Sequence, residues 1–127
     1  MASTLTIRRN AQAGSINAAD NFSVSADGAQ ERNIALPASS TDVQVLMNLD
    51  VSQLKALALV ADKDVTIETN NASTPTDTIN LKANRALIWE SESGYFANPL
   101  TADVTALFLT SVEAANVQMV FIEDATP

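Results

Sequence analysis

Apolar and polar residues alternate along most of this chain. Leu5 and Ile7 alternate with Thr4, Thr6 and Arg8, and Phe22, Val24 and Ala26 alternate with Ser23 and Ser25. Ile34 and Leu36 share a face just before Pro37. Val43, Val45, Met47 and Leu49 form the cleanest period of two, with Gln44, Leu46 and Asn48 opposite. A period of two is that of a strand with one buried face. Residues 56–61 are all apolar, which fits a buried strand but does not by period alone exclude a helix. Alternation resumes at Val65 and Ile67, in 78–81 and 86–89, and again in 104–110 and 117–122.

The breaks between these runs carry turn chemistry. Asp27-Gly28 follows the second run, and 38–42 is small and polar. Asp50 or Ser52 can cap one helical turn that turns Val51 and Leu54 inward. Asp62-Lys63-Asp64 forms a charged tip, and 57–61 with 65–69 reads as a hairpin around it. Residues 10–21 are small and polar around a single larger apolar residue, Ile16, and read as an arm or loop. Residues 90–102 form a long loop with unusual apolar content, Tyr95, Phe96 and Leu100, of the kind that packs on something or carries function. A polar tail, 123–127, ends the chain. Eight to ten short strands at regular spacing, with no long helical period, predict an all-β protein. The expected organisation is one β-sandwich domain over 21–127, a jelly-roll being one form of it, preceded by residues 1–20 as a polar N-terminal arm or an edge strand.

Composition narrows the chemistry. The 127 residues suit one domain and include neither cysteine nor histidine. Disulfides, zinc–thiolate sites, thiol nucleophiles and histidine-based triads are therefore excluded. The net charge of −8 repels phosphate backbones and anionic membranes, so neither nucleic acid nor membrane is an expected partner. No stretch approaches the ~18 apolar residues of a membrane helix. No signal peptide is evident, which predicts synthesis in a cytoplasm and makes the sequons at Asn21 and Asn71 chance matches.

The remaining candidates for chemistry are sparse. Ser52 with Lys55 is the only local Ser–Lys pair and reads best as a helical-turn surface lysine. Glu90 and Glu92 beside Trp89 and Tyr95 form a carboxylate pair near aromatics, as in sugar-hydrolysing sites, or a solvated strand end. Asp62, Asp64 and Asp77 lack the glycine and terminal glutamate of a calcium loop. The three glycines are isolated, so no phosphate loop is present. No enzyme activity, cofactor or metal is expected.

Several stretches carry a resemblance: Asp50-Val51-Ser52-Gln53-Leu54-Lys55-Ala56-Leu57, Asp64-Val65-Thr66-Ile67-Glu68-Thr69-Asn70, Asp77-Thr78-Ile79-Asn80-Leu81-Lys82-Ala83, Leu87-Ile88-Trp89, and Asn98-Pro99-Leu100-Thr101-Ala102-Asp103-Val104-Thr105-Ala106-Leu107-Phe108-Leu109-Thr110. Over residues 42–127 the chain resembles the small capsid decoration, or cement, proteins of tailed bacteriophages; the first forty residues match less clearly. The resemblance implies a β-sandwich, often jelly-roll-like, that sits on the outside of an icosahedral head, forms a homotrimer and clamps subunits of the major capsid protein. It implies a virion structural protein located on the capsid exterior. The alternative is a non-catalytic binding module for carbohydrate or protein, with Trp89, Tyr95 and Phe96 as a stacking platform.

Partner contacts are expected at two places. Tyr95 and Phe96 are candidate anchors of the oligomer, with Trp89 beside them. In the arm, Arg8 and Arg9 are two of seven basic residues and can reach carboxylates on a neighbour, while Leu5 and Ile7 add a strand to a partner's sheet edge. The competing reading of Leu5 to Arg9 is an ordinary strand of its own domain.

Overall fold

Wherever the two-residue period is unbroken, the chain is a strand. A computed structural model describes residues 3–124, so the end of the predicted polar tail, 125–127, lies outside the described residues, as do residues 1–2. The strands are β1 (Ser3–Ala13), β2 (Ile16–Ala26), β3 (Gly28–Leu36), β4 (Ser40–Leu49), β5 (Leu54–Ala61), β6 (Val65–Thr69), β7 (Thr78–Leu81), β8 (Leu87–Glu90), β9 (Val104–Ser111) and β10 (Ala115–Glu123). Among the described residues the only helical element is a 3-10 turn, Val51–Gln53. Asp50 caps that turn, its side chain accepting from the Ser52 amide at 3.0 Å.

Two four-stranded sheets face each other, ordered β3-β10-β5-β8 and β4-β9-β6-β7. Every neighbouring pair is antiparallel. β3 pairs with β10, β4 with β9, β5 with β8 and β6 with β7. This nesting is that of a long double hairpin wound into a sandwich, the jelly-roll arrangement. It corrects one expectation. β5 and β6 do not pair as a hairpin, because the turn 62–64 crosses from one sheet to the other. Carboxylates hold that crossing: Asp62 accepts from the Asn116 amide at 2.8 Å, and Asp64 from the Ala83 amide at 2.9 Å.

The core lies between the sheets. Leu57, Leu59, Val117, Met119 and Phe121 of one sheet meet Met47, Leu49, Val65, Ile67, Leu107 and Leu109 of the other, all buried. Burying each such side chain contributes about 1.5–3 kcal/mol before entropy is counted.

A third layer explains the apolar run at 56–61. β1 and β2 form a separate two-stranded hairpin that lies on the outer face of the β3-β10-β5-β8 sheet. Ile7 and Val24 bury against Ala56 and Ile122, with Leu5, Phe22, Ala26, Ile88 and Val120 packed around them. β5 is therefore covered on both faces near Ala56 and Leu57, and its sequence loses the alternation of a one-sided strand. The predicted arm is half of this hairpin, and the boundary drawn at residue 20 falls inside β2. Gly14 and Ser15 join the strands in a two-residue turn between the paired Ala13 and Ile16. Gly14 has φ +56°, which fits the first central position of a type II′ turn, where glycine is favoured.

Candidate functional site

Strand geometry sorts the hairpin into two faces. On the sheet-facing side the rungs are Leu5–Val24, Ile7–Phe22, Arg9–Asp20, Ala11–Ala18 and Ala13–Ile16. On the other side they are Thr4–Ser25, Thr6–Ser23, Arg8–Asn21, Asn10–Ala19 and Gln12–Asn17. The Thr4–Ser25 and Thr6–Ser23 hydroxyls bond across the strands at 2.9 and 3.2 Å. Residues 3–7 and 22–26 rest on the domain. Every residue from 8 to 21 is exposed, so this half of the hairpin projects as an arm.

Arg9 marks the point of departure. Its Nε donates to Asp20 Oδ1 at 3.1 Å and its Nη2 to Asp20 Oδ2 at 2.6 Å. The guanidinium also lies 5.6 Å from the centre of the Phe22 ring. Hydrogen bonding to Arg9 holds the Asp20 carboxyl below its ordinary range, and the same bond raises Arg9. The pair is half-exposed, so its fork geometry stiffens the hairpin more than its charge stabilises it.

Beside this rung stands the 91–99 loop. Trp89 pairs across from Leu57, so its ring packs on the core, and its Nε1 donates to the Phe96 carbonyl at 3.0 Å. That bond props the loop and presents Tyr95 and Phe96 outward, 81% and 78% exposed. Their rings meet edge-on, 6.5 Å apart at 74°. Arg9, Ile88, Trp89, Glu90, Tyr95 and Phe96 line one shallow cleft at the arm's base. Burial raises the Glu90 carboxyl, but bonds from Ser93 and Glu92 and the nearby Arg9 charge outweigh it and leave it lowered.

Four of the seven predicted contact residues, Arg9, Trp89, Tyr95 and Phe96, thus meet in one place. The others do not join them. Leu5 and Ile7, expected to add a strand to a partner, turn their side chains into their own domain, Leu5 half-buried and Ile7 2% exposed. Arg8 and Arg9 do not act as a cationic pair, because successive strand residues point to opposite faces. Arg9 is held by Asp20, and Arg8 faces away from the sheet. Trp89 is a prop rather than part of a flat platform, and the crossed Tyr95 and Phe96 rings do not form one either.

The other chemical candidates have local roles. Glu90 accepts the Ser93 amide at 3.0 Å, which fastens the start of the loop after β8. Asp77 accepts the Thr101 amide at 2.8 Å and hydroxyl at 2.9 Å, so it secures a loop as Asp62 and Asp64 do. Ser52 donates its hydroxyl to Asp50 at 2.6 Å, while Lys55 is exposed. Among the described residues no three acidic side chains gather closely enough to hold a metal ion.

Sequence reasoning missed the far end of the arm. Ala11, Ala13, Ile16 and Ala18 continue the apolar face of the hairpin beyond Arg9. The signal was Gly14-Ser15 between short alternating runs, obscured because the alternating residues are mostly alanines.

No family model and no curated protein matches the chain. A solved structure described as "Bacillus endospore appendages form a novel family of disulfide-linked pili" aligns with 84% of this chain and 100% of its own, at 13% identity and a TM-score of 0.32. A likeness that slight informs neither fold nor function.

Proposed function

We propose that this protein is a non-enzymatic structural protein that decorates the outside of a phage head, binding the major capsid protein and acting as a homotrimer. The observation that carries the reading is the projecting hairpin with Tyr95 and Phe96 at its base. This edge of the molecule exposes two large aromatics beside a stiffened two-stranded arm, and neither serves the fold of its own domain. Aromatic anchors next to an arginine are the residues that carry protein–protein contacts. The resemblance over 42–127 to cement proteins names the kind of assembly. Jelly rolls serve capsids and lectins alike, so the fold admits the reading without selecting it.

The test is co-sedimentation of purified protein with undecorated heads of the phage that encodes it. Wild-type protein pellets with heads, and the double variant Tyr95→Ala, Phe96→Ala binds at least tenfold more weakly, as expected on removal of two anchors worth roughly 1 kcal/mol or more each. Absence of wild-type binding, or unchanged binding by the double variant, contradicts the proposal.

A further inference from the structure

Past Arg9 and Asp20 the sheet-facing side of the arm consists of the rungs Ala11–Ala18 and Ala13–Ile16, with Ile16 68% exposed. The opposite side carries Asn10, Gln12 and Asn17, with Ala19 across from Asn10. The arm is therefore amphipathic to its tip, although its own domain covers only the first part of its apolar side.

The domain carries a matching surface. The resident hairpin packs where Ala29, Ile122, Ala56 and Glu90 form one register row across the outer face of the sheet. The next rows, Glu31–Val120–Ala58 and Asn33–Gln118–Val60, floor an open depression of about 540 Å³. Val120 touches the resident hairpin on one side and the depression on the other.

We infer that this depression receives the projecting arm of a second copy of the chain, laid beside the resident hairpin. The inference rests on the assembly reading above and names the partner of the arm. The packing extends the one the hairpin already makes with the adjacent row: small and branched apolar side chains meet Ala58, Val60 and Val120, while Glu31, Arg32, Asn33 and Gln118 of the same depression can meet the polar edges of the arm. The lengths agree. Six projecting residues of β1, 8–13, span about 20 Å, and four strands are about 14 Å across. Charge agrees as well. Residues 3–26 carry Arg8, Arg9 and Asp20, a net +1, so the rest of the chain carries −8 − 1 = −9. A cationic arm is attracted to any other copy's body although the whole molecules repel. Finally, among the described residues β1 and β2 pair only with each other, so each leaves a strand edge that a second hairpin can extend. None of residues 8–21 lines the chain's own depression, so arm and depression are different surfaces, and closure of contacts between such unlike surfaces gives a ring.

The absence of cysteine makes the test direct. Ala18→Cys and Gln118→Cys proteins, both altered at exposed positions, are purified separately, mixed and oxidised, and the wild type is sedimented at concentrations on the order of 100 µM, above a micromolar dissociation constant. The expected results are a hetero-cross-linked product from the mixture and a closed oligomer of wild type, weakened roughly tenfold or more by Ile16→Glu with no change in melting temperature. Wild type that stays monomeric, an oligomer untouched by Ile16→Glu, or no mixed cross-link overturns the inference. Head binding separates the two ideas. A monomer that still decorates heads defeats the arm contact alone, and an oligomer that ignores heads upholds the contact and defeats the decoration reading.

Discussion

Two isoleucines in one hairpin do different work. Ile7 fits between Val24, Ala56 and Ile122 and is 2% exposed, while Ile16 stands 68% exposed near the tip. Ile7→Ala therefore leaves a cavity at the layer boundary and lowers unfolding free energy by about 2–4 kcal/mol in urea titration. Ile16→Ala changes it by no more than about 0.5 kcal/mol. Single polar residues fasten the loops. Asn70, with φ 70°, sits in the left-handed region that asparagine tolerates. Its Oδ1 accepts the Thr105 amide and its Nδ2 donates to the Asp103 carbonyl, both at 2.8 Å. Carboxylates that act this way link stability to pH. Asp62 is lowered from 3.8 by hydrogen bonds from Asn116, and Asp20 is lowered from 3.8 by its bond to Arg9. A folded-state pKa below the unfolded one means that the native state binds fewer protons in the window between them. The stabilisation is full above the unfolded value of 3.8 and is lost as pH falls through the folded value. Melting temperature measured by circular dichroism is expected to drop as pH falls below about 4, and less steeply in Asp62→Asn.

At the scale of elements, the hairpin divides at the Arg9–Asp20 rung into a part that belongs to the fold and a part that does not. Excising 10–19 and closing β1 to β2 with Asn-Gly keeps that rung and every buried residue of the hairpin. The shortened protein is expected to melt within a few degrees of wild type by circular dichroism and to lose self-association by sedimentation, since a surface change away from packed features costs little. Deleting 2–12 instead removes Ile7 and is expected to unfold the layer. The strands were legible where one face is buried, as in Val43, Val45, Met47 and Leu49, because burial on one side writes a period of two. Pairing was less legible: the Asp62–Asp64 tip marks a turn, but nothing local says whether a turn joins neighbours or crosses between sheets. The arm was least legible. Its alternating positions are alanines that no core selects for size, so the pattern faded where the hairpin leaves the domain. The contact residues followed the same rule. Tyr95 and Phe96 stood out as large apolar residues in a loop, while the alanines of the arm tip and the outer face of the sheet, meaningful only in pairs across strands, did not.

At the scale of the molecule, a wound sandwich leaves the outer faces of both sheets open, and this chain covers part of one with its own N-terminal hairpin. The result is a body of charge −9 with a cationic arm at one edge and an aromatic loop at the arm's base. On the proposed reading, the arm is assigned to a second copy and the loop to the shell. A three-dimensional reconstruction of heads incubated with the purified protein tests this account most directly. The expected result is sandwich-shaped density outside the shell at threefold-related positions, with the Tyr95–Phe96 loop against the major capsid protein and each arm on the neighbouring copy. Heads whose outer surface stays bare at saturating protein would contradict it.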